Sequence, residues 1–370
     1  MKLQINTAVF QNMVAKAVKG AGMNNDLGIT QLMSISLHDN TLTLTTTDNS
    51  NYLYIREDKI SGDDFDVVVS VDKFSKLISK LTCENVVLEV NPSDKGLDSL
   101  VIKGNGKYQI ELPYDEDGEL VEFPNPMEDD EATWETTEIN LSTVKLILSA
   151  AKPSLMAGKE DACYSGYYMG DRIVATDTFK ICGIDIKTFD SPKLISARFM
   201  DLLEVMTEET IKVKYNENTL IFSTDKVELY GHVKEGVESY KIDAISSLLD
   251  EKFSSVCKIE KSPLLQMLDR LSLFVETFDK NGVYLTFTKD GLLVSSKKDS
   301  GEELIPYKES SDFKDFTCCA DIDLLRTQVK AYPSDVIELL YGKENSLKFI
   351  VGNTKEIVAL SDDDRVANNE

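Results

Sequence analysis

The sequence contains few of the residues that usually form catalytic and metal sites. It holds two histidines, His38 and His232, and neither lies near a serine or cysteine in a pattern typical of an activated nucleophile. Its six cysteines form no CxxC pair, which indicates reduced, buried thiols rather than disulfides or a metal site. We therefore expect that the protein is not an enzyme and that it binds no cofactor and no metal. Chemistry carried by carboxylates alone stays open, because 64 acidic residues offer many pairs.

Long hydrophobic runs are also missing. No apolar stretch approaches the roughly 18 residues that a membrane-spanning helix needs. Residues 1–6 alternate apolar and polar as a strand does, and a signal peptide would not. The sequence therefore predicts a cytoplasmic protein.

Two local motifs resemble ligand loops but lack necessary residues. In the Gly-Asn-Gly-Lys sequence of residues 104–107, Val101 stands where the first glycine of a phosphate loop belongs, and Tyr108 replaces its Ser or Thr. We expect a hairpin turn there. The acidic runs 115–119 and 128–131 lack the spacing of an EF-hand and flank two prolines, which indicates a solvated linker. The acidic tail that begins at Ser361 is predicted to be disordered.

The most informative feature that is present is a threefold internal repeat. Short strands followed by a polar turn recur at 41–48, 172–177 and 291–296. A helix-like segment follows each of them and begins near Asp72, Ser196 and Asp321, so the starts lie 124 and 125 residues apart. The pattern predicts an α+β protein of three tandem domains, 1–128, 129–250 and 251–370, the last with the acidic tail. Such repetition is typical of a ring or an array.

The distribution of charged residues along the chain favours binding to a polyanion, although the total charge does not. A formal net charge of −24 argues against binding to nucleic acid, because phosphate binding depends on Lys and Arg. Six segments nevertheless read as helices and together carry twelve Lys and Arg against seven Asp and Glu. These segments are 7–20, 72–81, 141–152, 195–208, 261–273 and 321–332. Basic residues are therefore concentrated on the helices, and acidic residues on the rest of the chain.

Helical projection separates the basic residues from the apolar ones. In segment 72–81, Phe74, Ile78 and two leucines form one face, and three lysines lie opposite. The first segment follows the same rule, with Thr7 as its predicted N-cap and Gly20 as its end. Like charges four residues apart, as at Lys76 and Lys80, cost a helix roughly 0.2–0.5 kcal/mol, which favours a nearby polyanion. An ordinary solvated face is the alternative, and segment 195–208, with three acids around Arg198, fits the basic pattern poorly.

Four short motifs in this order and spacing resemble those of the bacterial DNA sliding clamps, the β subunits of DNA polymerase III. They are Leu42-Thr-Leu-Thr-Thr-Thr-Asp48, Val67-Val-Val-Ser-Val-Asp-Lys-Phe74, Ile173-Val-Ala-Thr-Asp-Thr-Phe-Lys-Ile181 and Glu356-Ile-Val-Ala-Leu360. The resemblance covers essentially the whole chain, which looks like a divergent member of that family.

The resemblance implies a head-to-tail homodimer whose six domains close into a ring around double-stranded DNA. Its role would be that of a processivity factor, which encircles DNA without sequence specificity. It would tether the replicative polymerase, the clamp loader and other replication or repair proteins through short peptides. The helices would line the hole. The residues expected to face DNA are Lys16, Lys19, Lys73, Lys76, Lys80, Lys145, Lys152, Arg198, Lys261, Arg270, Arg326 and Lys330.

The resemblance also implies a dimer seam and a peptide-binding groove. At the seam, Lys73, Tyr108 and Ile110 of one copy would meet Phe274, Val275, Glu302 and Glu303 of the other. The groove would use Tyr164, Thr176, Thr178, Phe179, Lys180, Ile181, Leu347, Val358, Ala359 and Leu360. The chain departs from the family where Thr178-Phe179-Lys180 replaces the common Gly-His/Tyr-Arg, and where Glu238-Ser239 replaces the usual proline before Tyr240.

Two alternatives accompany this interpretation. Phe179 and Ile181 are also explained as plain core residues of a strand. A repeat-built scaffold that never meets DNA would show the same threefold pattern, but such a protein should be monomeric and indifferent to DNA.

Overall fold

The described part of the chain is built from antiparallel sheets and short helices. The computed structural model describes residues 1–22, 28–91, 99–126, 133–158, 162–275, 282–298 and 300–361. Every strand pair within them is antiparallel, which confirms the predicted α+β class. The helices are α1 (Thr7–Ala17), α2 (Val71–Ile78), α3 (Leu141–Leu146), α4 (Ala197–Leu202), α5 (Ile242–Asp250), α6 (Lys261–Leu271) and α7 (Ile322–Ala331).

The strands fall into three groups along the chain. The first group is β1 (Lys2–Asn6), β2 (Leu32–His38), β3 (Thr41–Thr47), β4 (Asn51–Glu57), β5 (Phe65–Ser70), β6 (Asn85–Asn91), β7 (Ser99–Lys103) and β8 (Lys107–Glu111). The second is β9 (Glu135–Asn140), β10 (Gly166–Met169), β11 (Ile173–Thr176), β12 (Lys180–Ile184), β13 (Lys193–Ser196), β14 (Thr210–Tyr215), β15 (Thr219–Ser223) and β16 (Val227–His232). The third is β17 (Ser255–Glu260), β18 (Gly282–Phe287), β19 (Leu292–Ser296), β20 (Glu302–Ile305), β21 (Glu309–Ser311), β22 (Phe316–Asp321), β23 (Val336–Tyr341), β24 (Ser346–Val351) and β25 (Thr354–Ala359).

The order of elements repeats three times. Each group runs strand, helix, four strands, helix and three strands, and the third group adds the short strand β21. The predicted boundary at 128/129 and the predicted acidic tail beyond Ser361 lie outside the described residues, and the boundary at 250/251 coincides with the end of α5. The turn predicted at 104–107 connects the β7–β8 hairpin.

The helices begin and end at somewhat different residues from those predicted. Asn6, and not Thr7, caps α1, because its side-chain Oδ1 accepts hydrogen bonds from the backbone amides of Ala8 and Val9 at 3.1 and 3.2 Å. Thr7 is instead the first helical residue and is buried. The segment predicted as one helix over 141–152 continues from α3 as a π-helical stretch and then a 3₁₀ turn over 152–154.

Helices α2 and α6 bury the apolar faces that their periodicity predicts. On α2, Phe74 and Ile78 are fully buried, and Phe74 meets Phe10 of α1 edge to face at a ring separation of 6.0 Å. On α6, three leucines are buried, whereas Arg270 is exposed. Burial of one such side chain contributes about 1.5–3 kcal/mol, so these faces fix the helices on their sheets.

Helix α5 was not predicted. Its buried residues Ile245 and Leu249 lie four apart, but only nine residues form the helix and no side chain caps its start. It packs on β12 and β25. Gly183 of β12 allows this approach, because a Cβ there would lie 2.4 Å from Leu249 Cδ1. The sequence signal for this helix was a short stretch of apolar residues at helical spacing, directly before the predicted start of the next domain.

The chain divides into two compact units. One comprises Met1–Val144 and Arg198–Val233, and the other Lys145–Ala197 and Lys234–Glu370. The first unit holds an eight-stranded sheet of order β5-β2-β3-β4-β16-β15-β14-β9 and a four-stranded sheet of order β1-β6-β7-β8. The second holds a nine-stranded sheet of order β13-β10-β11-β12-β25-β24-β23-β17-β21 and a four-stranded sheet of order β20-β19-β18-β22.

Candidate functional site

The two long sheets are each assembled from strands of two consecutive groups. In one, β4 of the first group pairs with β16, the last strand of the second group. In the other, β12 of the second group pairs with β25, the last strand of the third group. Salt bridges flank the first junction, where Arg56 meets Glu228 at 3.0 Å and Lys226 meets Glu57 at 2.8 Å.

The two four-stranded sheets end in the strands that would form a third such junction. Strand β20 takes the place in its group that β4 and β12 take in theirs, and β8 is the last strand of the first group, as β16 and β25 are of theirs. Both β8 and β20 are edge strands in the described residues, so their outward backbone groups are available for pairing. The repeat therefore leaves one junction to be completed.

Exposed apolar side chains accompany these edges. Next to β20, Phe274 is 51% exposed, and its ring lies 3.4 Å from the position that a Cβ would take at Gly301. Leu273 is 80% exposed, and Leu304 of β20 is 52% exposed. On β8, Tyr108 is 38% exposed. An apolar patch beside an open strand is typical of an interface.

The seam residues from the sequence are only partly placed at this surface. Ile110, also predicted at the seam, is 3% exposed in the single chain and belongs to the core. Val275 is half-buried against the core of the last group of strands. Glu302 and Lys73 are exposed. Leu273 and Leu304 were missed, although each is a large apolar residue beside a predicted seam residue.

Glu303 forms a bond within the chain. Its carboxylate accepts two hydrogen bonds from the guanidinium of Arg270, at 2.8 and 2.6 Å. These bonds hold the pKa of Glu303 below its ordinary value. Arg270, predicted to face DNA, is thereby tied to the β20 edge and links the two predicted surfaces.

The basic residues predicted on the helices differ in whether they form salt bridges or hydrogen bonds within the chain. Arg198 pairs with Asp48 at 2.9 Å, and Arg326 pairs with Asp269 at 2.7 Å. Lys19 forms a salt bridge with Glu204, and Lys76 forms one with Asp72. Lys261 donates a hydrogen bond to the carbonyl of Tyr332. Exposed cations with no ion pair among the described residues are Lys73, Lys80, Lys145 and Lys330. Lys16 is half-buried, and Lys152 is exposed.

The predicted groove residues lie on two faces of the β12–β25 junction. Ile181 stands directly opposite Ile357, and the amide of Ala359 donates to the carbonyl of Phe179 at 2.8 Å. Because side chains alternate along a strand, Ile181, Ile357 and Ala359 belong to one face, and Phe179, which directly precedes β12, is joined to its edge by that backbone bond. Phe179 is 61% exposed there. We call this surface the docking face.

Aromatic and apolar residues from neighbouring elements form the floor of the docking face. The buried cluster comprises Tyr168, Val174, Ile181, Leu194, Tyr240, Ile245, Leu249 and Ile357, with Cys163, Tyr164, Val237 and Ile242 packed against it. Of these, the sequence predicted only Tyr164 and Ile181 as groove residues. The rest come from α5 and from strands whose pairing the sequence does not specify.

Three predicted groove residues face the other way. Leu347, Val358 and Leu360 belong to or pack against the core of the last group of strands. The expectation that Leu360 seats a partner's side chain is therefore not supported by its position. Its alternation with Ala359 places it behind the docking face.

Lys180 also points away from the docking face. Its side chain is 8% exposed, donates to the carbonyl of Pro153 at 2.5 Å and lies 3.4 Å from Asp177. Lys180, predicted as a groove residue, therefore does not present its ammonium group at this surface. The hydroxyl of Thr176 donates to the carbonyl of Lys180, and Thr178 has a φ of 79°. That φ explains why a glycine suits the position of Thr178, since β-branched residues rarely adopt it.

An ion cluster fixes the C-terminal end of α5. Asp250 accepts from Lys355 at 2.7 Å and from Arg172 at 3.0 Å, and both cations also reach Asp185. Lys348 donates to the carbonyls of Leu249 and Glu251, which satisfies acceptors that the helix end leaves unpaired. This cluster holds α5 against the docking face.

The described residues contain no group of three or more His, Cys, Asp or Glu arranged to hold a metal ion. Within the same residues, no helix is long and apolar enough to cross a membrane. His38 pairs with Asp66 at 2.8 Å on the surface. Cys318 and Cys319 are buried in strand β22.

Comparisons with known proteins identify the fold. No protein-family model and no curated protein matches the sequence. The structure is similar to the β subunit from DNA polymerase of Streptococcus pyogenes, with a TM-score of 0.85 and 15% identity over 98% of this chain and 100% of that one. It is also similar to the DNA polymerase sliding clamp from Bacillus subtilis, with a TM-score of 0.82, 15% identity and coverage of 98% and 99%.

A third similar structure is DNA polymerase III subunit beta from Borrelia burgdorferi, with a TM-score of 0.83, 17% identity and coverage of 98% and 99%. These similarities extend over nearly the full length of all three proteins. The chain therefore has the sliding-clamp fold, as the sequence motifs led us to expect.

Proposed function

We propose that two copies of this chain close into a ring around duplex DNA and act as a sliding clamp, a processivity factor for a DNA polymerase. The observation that carries the proposal is the unfinished third junction. Strand β20 of one copy would pair with β8 of the other, as β4 pairs with β16 and β12 with β25 within the chain. Because β8 and β20 differ, the contact is heterologous, and two such contacts close a ring.

The charge distribution suits this role. Lysines on the helices would contact phosphates without reading bases, so the ring would bind every sequence alike. A chain of net charge −24 binds free DNA weakly, but a closed ring needs only contacts that permit sliding. In this proposal the protein is not an enzyme, acts in the cytoplasm and holds the polymerase, the clamp loader and other partners through short peptides on the docking face.

Light scattering coupled to size exclusion tests the assembly. The proposal requires a mass near twice 41.4 kDa at micromolar concentration. A monomer that also ignores DNA would instead support a repeat-built scaffold. The same measurement therefore separates the two candidate functions.

Reversing Lys76 and Lys80 should weaken DNA binding and leave the fold intact. Lys76 on α2 and Lys80 in the turn after it are both exposed, so Lys76→Glu with Lys80→Glu changes charge without changing packing. We expect the affinity for a 40-base-pair duplex at low salt to fall roughly tenfold, with a shallower salt dependence. Fluorescence anisotropy measures both.

The matched control is Lys252→Glu with Lys289→Glu, which changes the net charge equally at exposed positions outside the basic helices. If both double variants lose the same affinity, net charge and not the α2 surface governs binding.

Replacing Phe179 should disable the docking face. Phe179→Asp places a charge where a partner's apolar side chain would pack, while the 61% exposure of the ring makes the fold tolerant of the change. We expect a peptide with two large hydrophobic residues and one polar anchor to bind at least tenfold more weakly, with an unchanged Tm. Leu120→Asp, at a 41% exposed leucine in the other unit, is the control. Equal peptide binding by wild type and Phe179→Asp would exclude this surface.

A further inference from the structure

We propose that two copies pair β20 with β8 in the register that both junctions within the chain share, so that Glu302 of one copy lies directly opposite Gln109 of the other. This inference rests on the proposed function, because it assumes that β20 of one copy meets β8 of the next. The proposed function names the two strands, and the register fixes which side chains of the two copies meet.

Strands β4, β12 and β20 have equivalent residues, which their hairpins identify. The pairs that close these hairpins are Thr47 with Tyr52, Thr176 with Ile181, and Ser295 with Glu302. In each hairpin the next amide donates to the carbonyl just before the second strand, at 3.2, 3.3 and 2.9 Å. Three residues beyond the closing pair, each strand has a buried isoleucine: Ile55, Ile184 and Ile305. Tyr52, Ile181 and Glu302 are therefore equivalent.

Strands β16, β25 and β8 are matched through the strand that precedes each of them. The pairs at the open ends of these hairpins are Thr219 with His232, Ser346 with Ala359, and Ser99 with Glu111. In each case the next residue of the preceding strand is a fully buried leucine: Leu220, Leu347 and Leu100. Two residues back along the second strand lie the equivalent residues Tyr230, Ile357 and Gln109.

The two junctions within the chain have the same register at these positions. Tyr52 lies opposite Tyr230, and Ile181 lies opposite Ile357. The agreement extends over five consecutive pairs, although the side chains in them differ. The repeated backbone therefore sets this register, and no particular side-chain pair is needed for it.

The same register makes the contact between copies chemically different from the junctions within the chain. The two tyrosines of the first junction meet edge to face at a ring separation of 6.2 Å, and the two isoleucines of the second belong to one apolar cluster. Glu302 and Gln109 are instead polar and exposed in the single chain. Because a polar pair buries less apolar surface, this contact would separate more readily than the other two.

The neighbouring pairs are compatible with the same register. Leu304, which is 52% exposed, would lie opposite Lys107, whose methylene groups would cover the leucine while the ammonium group stays in water. Glu303 would lie opposite Tyr108 on the other face of the strand. Arg270 already donates to both oxygens of Glu303, so the covered carboxylate would keep its partner.

A slip by two residues is the main competing register, because it keeps every side chain on the same face. It would place Glu302 opposite Lys107, which gives an ion pair, or opposite Glu111, which gives two like charges. A slip by one residue would turn the exposed side chains to the core face. The residue that lies opposite Glu302 therefore distinguishes the registers.

Disulfide cross-linking between copies identifies that residue. Glu302→Cys is combined with Gln109→Cys, with Lys107→Cys or with Glu111→Cys, and all three partner positions are exposed. Directly opposite residues have Cα atoms about 4.5–5.5 Å apart, within reach of a disulfide, whereas residues displaced by two lie about 7–8 Å apart. Copper phenanthroline is the oxidant, and non-reducing electrophoresis measures the covalent dimer.

The single variants Glu302→Cys and Gln109→Cys control for the six native cysteines, of which four are buried. We expect Glu302→Cys with Gln109→Cys to give about fivefold more covalent dimer than either shifted pair.

More covalent dimer from a shifted pair would overturn the proposed register and leave the proposed dimer standing. Absence of cross-linking in all three double variants, when light scattering shows that they are dimers, would overturn it as well. A wild-type protein that is monomeric in light scattering would instead contradict the proposed function, and the register with it.

Discussion

Replacing Leu273 and Phe274 with aspartate is expected to turn the protein from a dimer into a monomer of 41.4 kDa. Both side chains are exposed in the single chain, at 80% and 51%, beside the open edge of β20. Pairing β20 with β8 of a second copy would bury the two new carboxylates without partners. Each such burial costs on the order of 3 kcal/mol, which is more than a hundredfold in the dissociation constant.

The fold itself should be unaffected by this double replacement, because neither side chain is part of the core. Leu248→Asp, at a 43% exposed leucine on α5, is the matched control and should remain dimeric. Light scattering at micromolar concentration reports the mass, and the melting temperature reports the fold. A double variant that stays dimeric would place the contact between copies elsewhere.

The second large effect concerns the buried carboxyl of Glu356 on β25. Its side chain is fully buried, and neither oxygen has a hydrogen-bond partner within the described part of the chain. It stands opposite Cys182 of β12, and the buried amide of Gln328 on α7 likewise has no hydrogen-bond partner among the described residues. Burial raises the pKa of Glu356 to about 7, although Gln328 and Lys261 act in the opposite direction.

Glu356→Gln is expected to increase the stability of the protein at alkaline pH. The ordinary pKa of 4.5 describes the unfolded chain, so that chain releases the proton first as the pH rises. Stability from this group is therefore present below pH 4.5 and is lost between pH 4.5 and about 7. The neutral amide removes the loss, which amounts to about 3 kcal/mol in the free energy of unfolding above pH 7.

Urea unfolding of wild type and Glu356→Gln at pH 5, 6, 7 and 8 measures this difference. It should be small at pH 5 and largest at pH 8. Glu344→Gln, at an exposed position, should show no such trend. A difference between Glu356→Gln and wild type that is independent of pH would contradict the assignment of a neutral, buried carboxyl.

The sequence predicted the repeated order of elements because the spacing of apolar residues within a helix can be read from that segment alone. The apolar face of α2 can be derived from Phe74 and Ile78 alone, since their spacing places them on one side of any helix. The same local logic identified the β7–β8 hairpin and the exposed row of lysines. These features depend on neighbours in the chain and not on tertiary pairing.

The errors in the groove residues occurred where a strand has two buried faces. All five residues of β12 are buried, so an alternation of apolar and polar residues does not show which side chains share a face. Lys180 and Ile181 were therefore assigned to one surface, although they face opposite ways. Leu360 was misplaced for the same reason. Asn6 was overlooked as a cap because Thr7, beside it, is also a good capping residue. Helix α5 depends on Gly183 and on an ion cluster that the sequence does not bring together.

The central claim is that the ring is closed around DNA, and topological retention on linear DNA tests it without a loading factor. The protein is incubated at low salt with a linear duplex that carries biotin at both ends, half of the sample is then blocked with streptavidin, and both halves pass through gel filtration in 1 M NaCl. The account predicts that the protein stays with the blocked DNA and leaves the open DNA, because salt removes phosphate contacts but cannot unthread a closed ring. Equal loss from blocked and open DNA would contradict it.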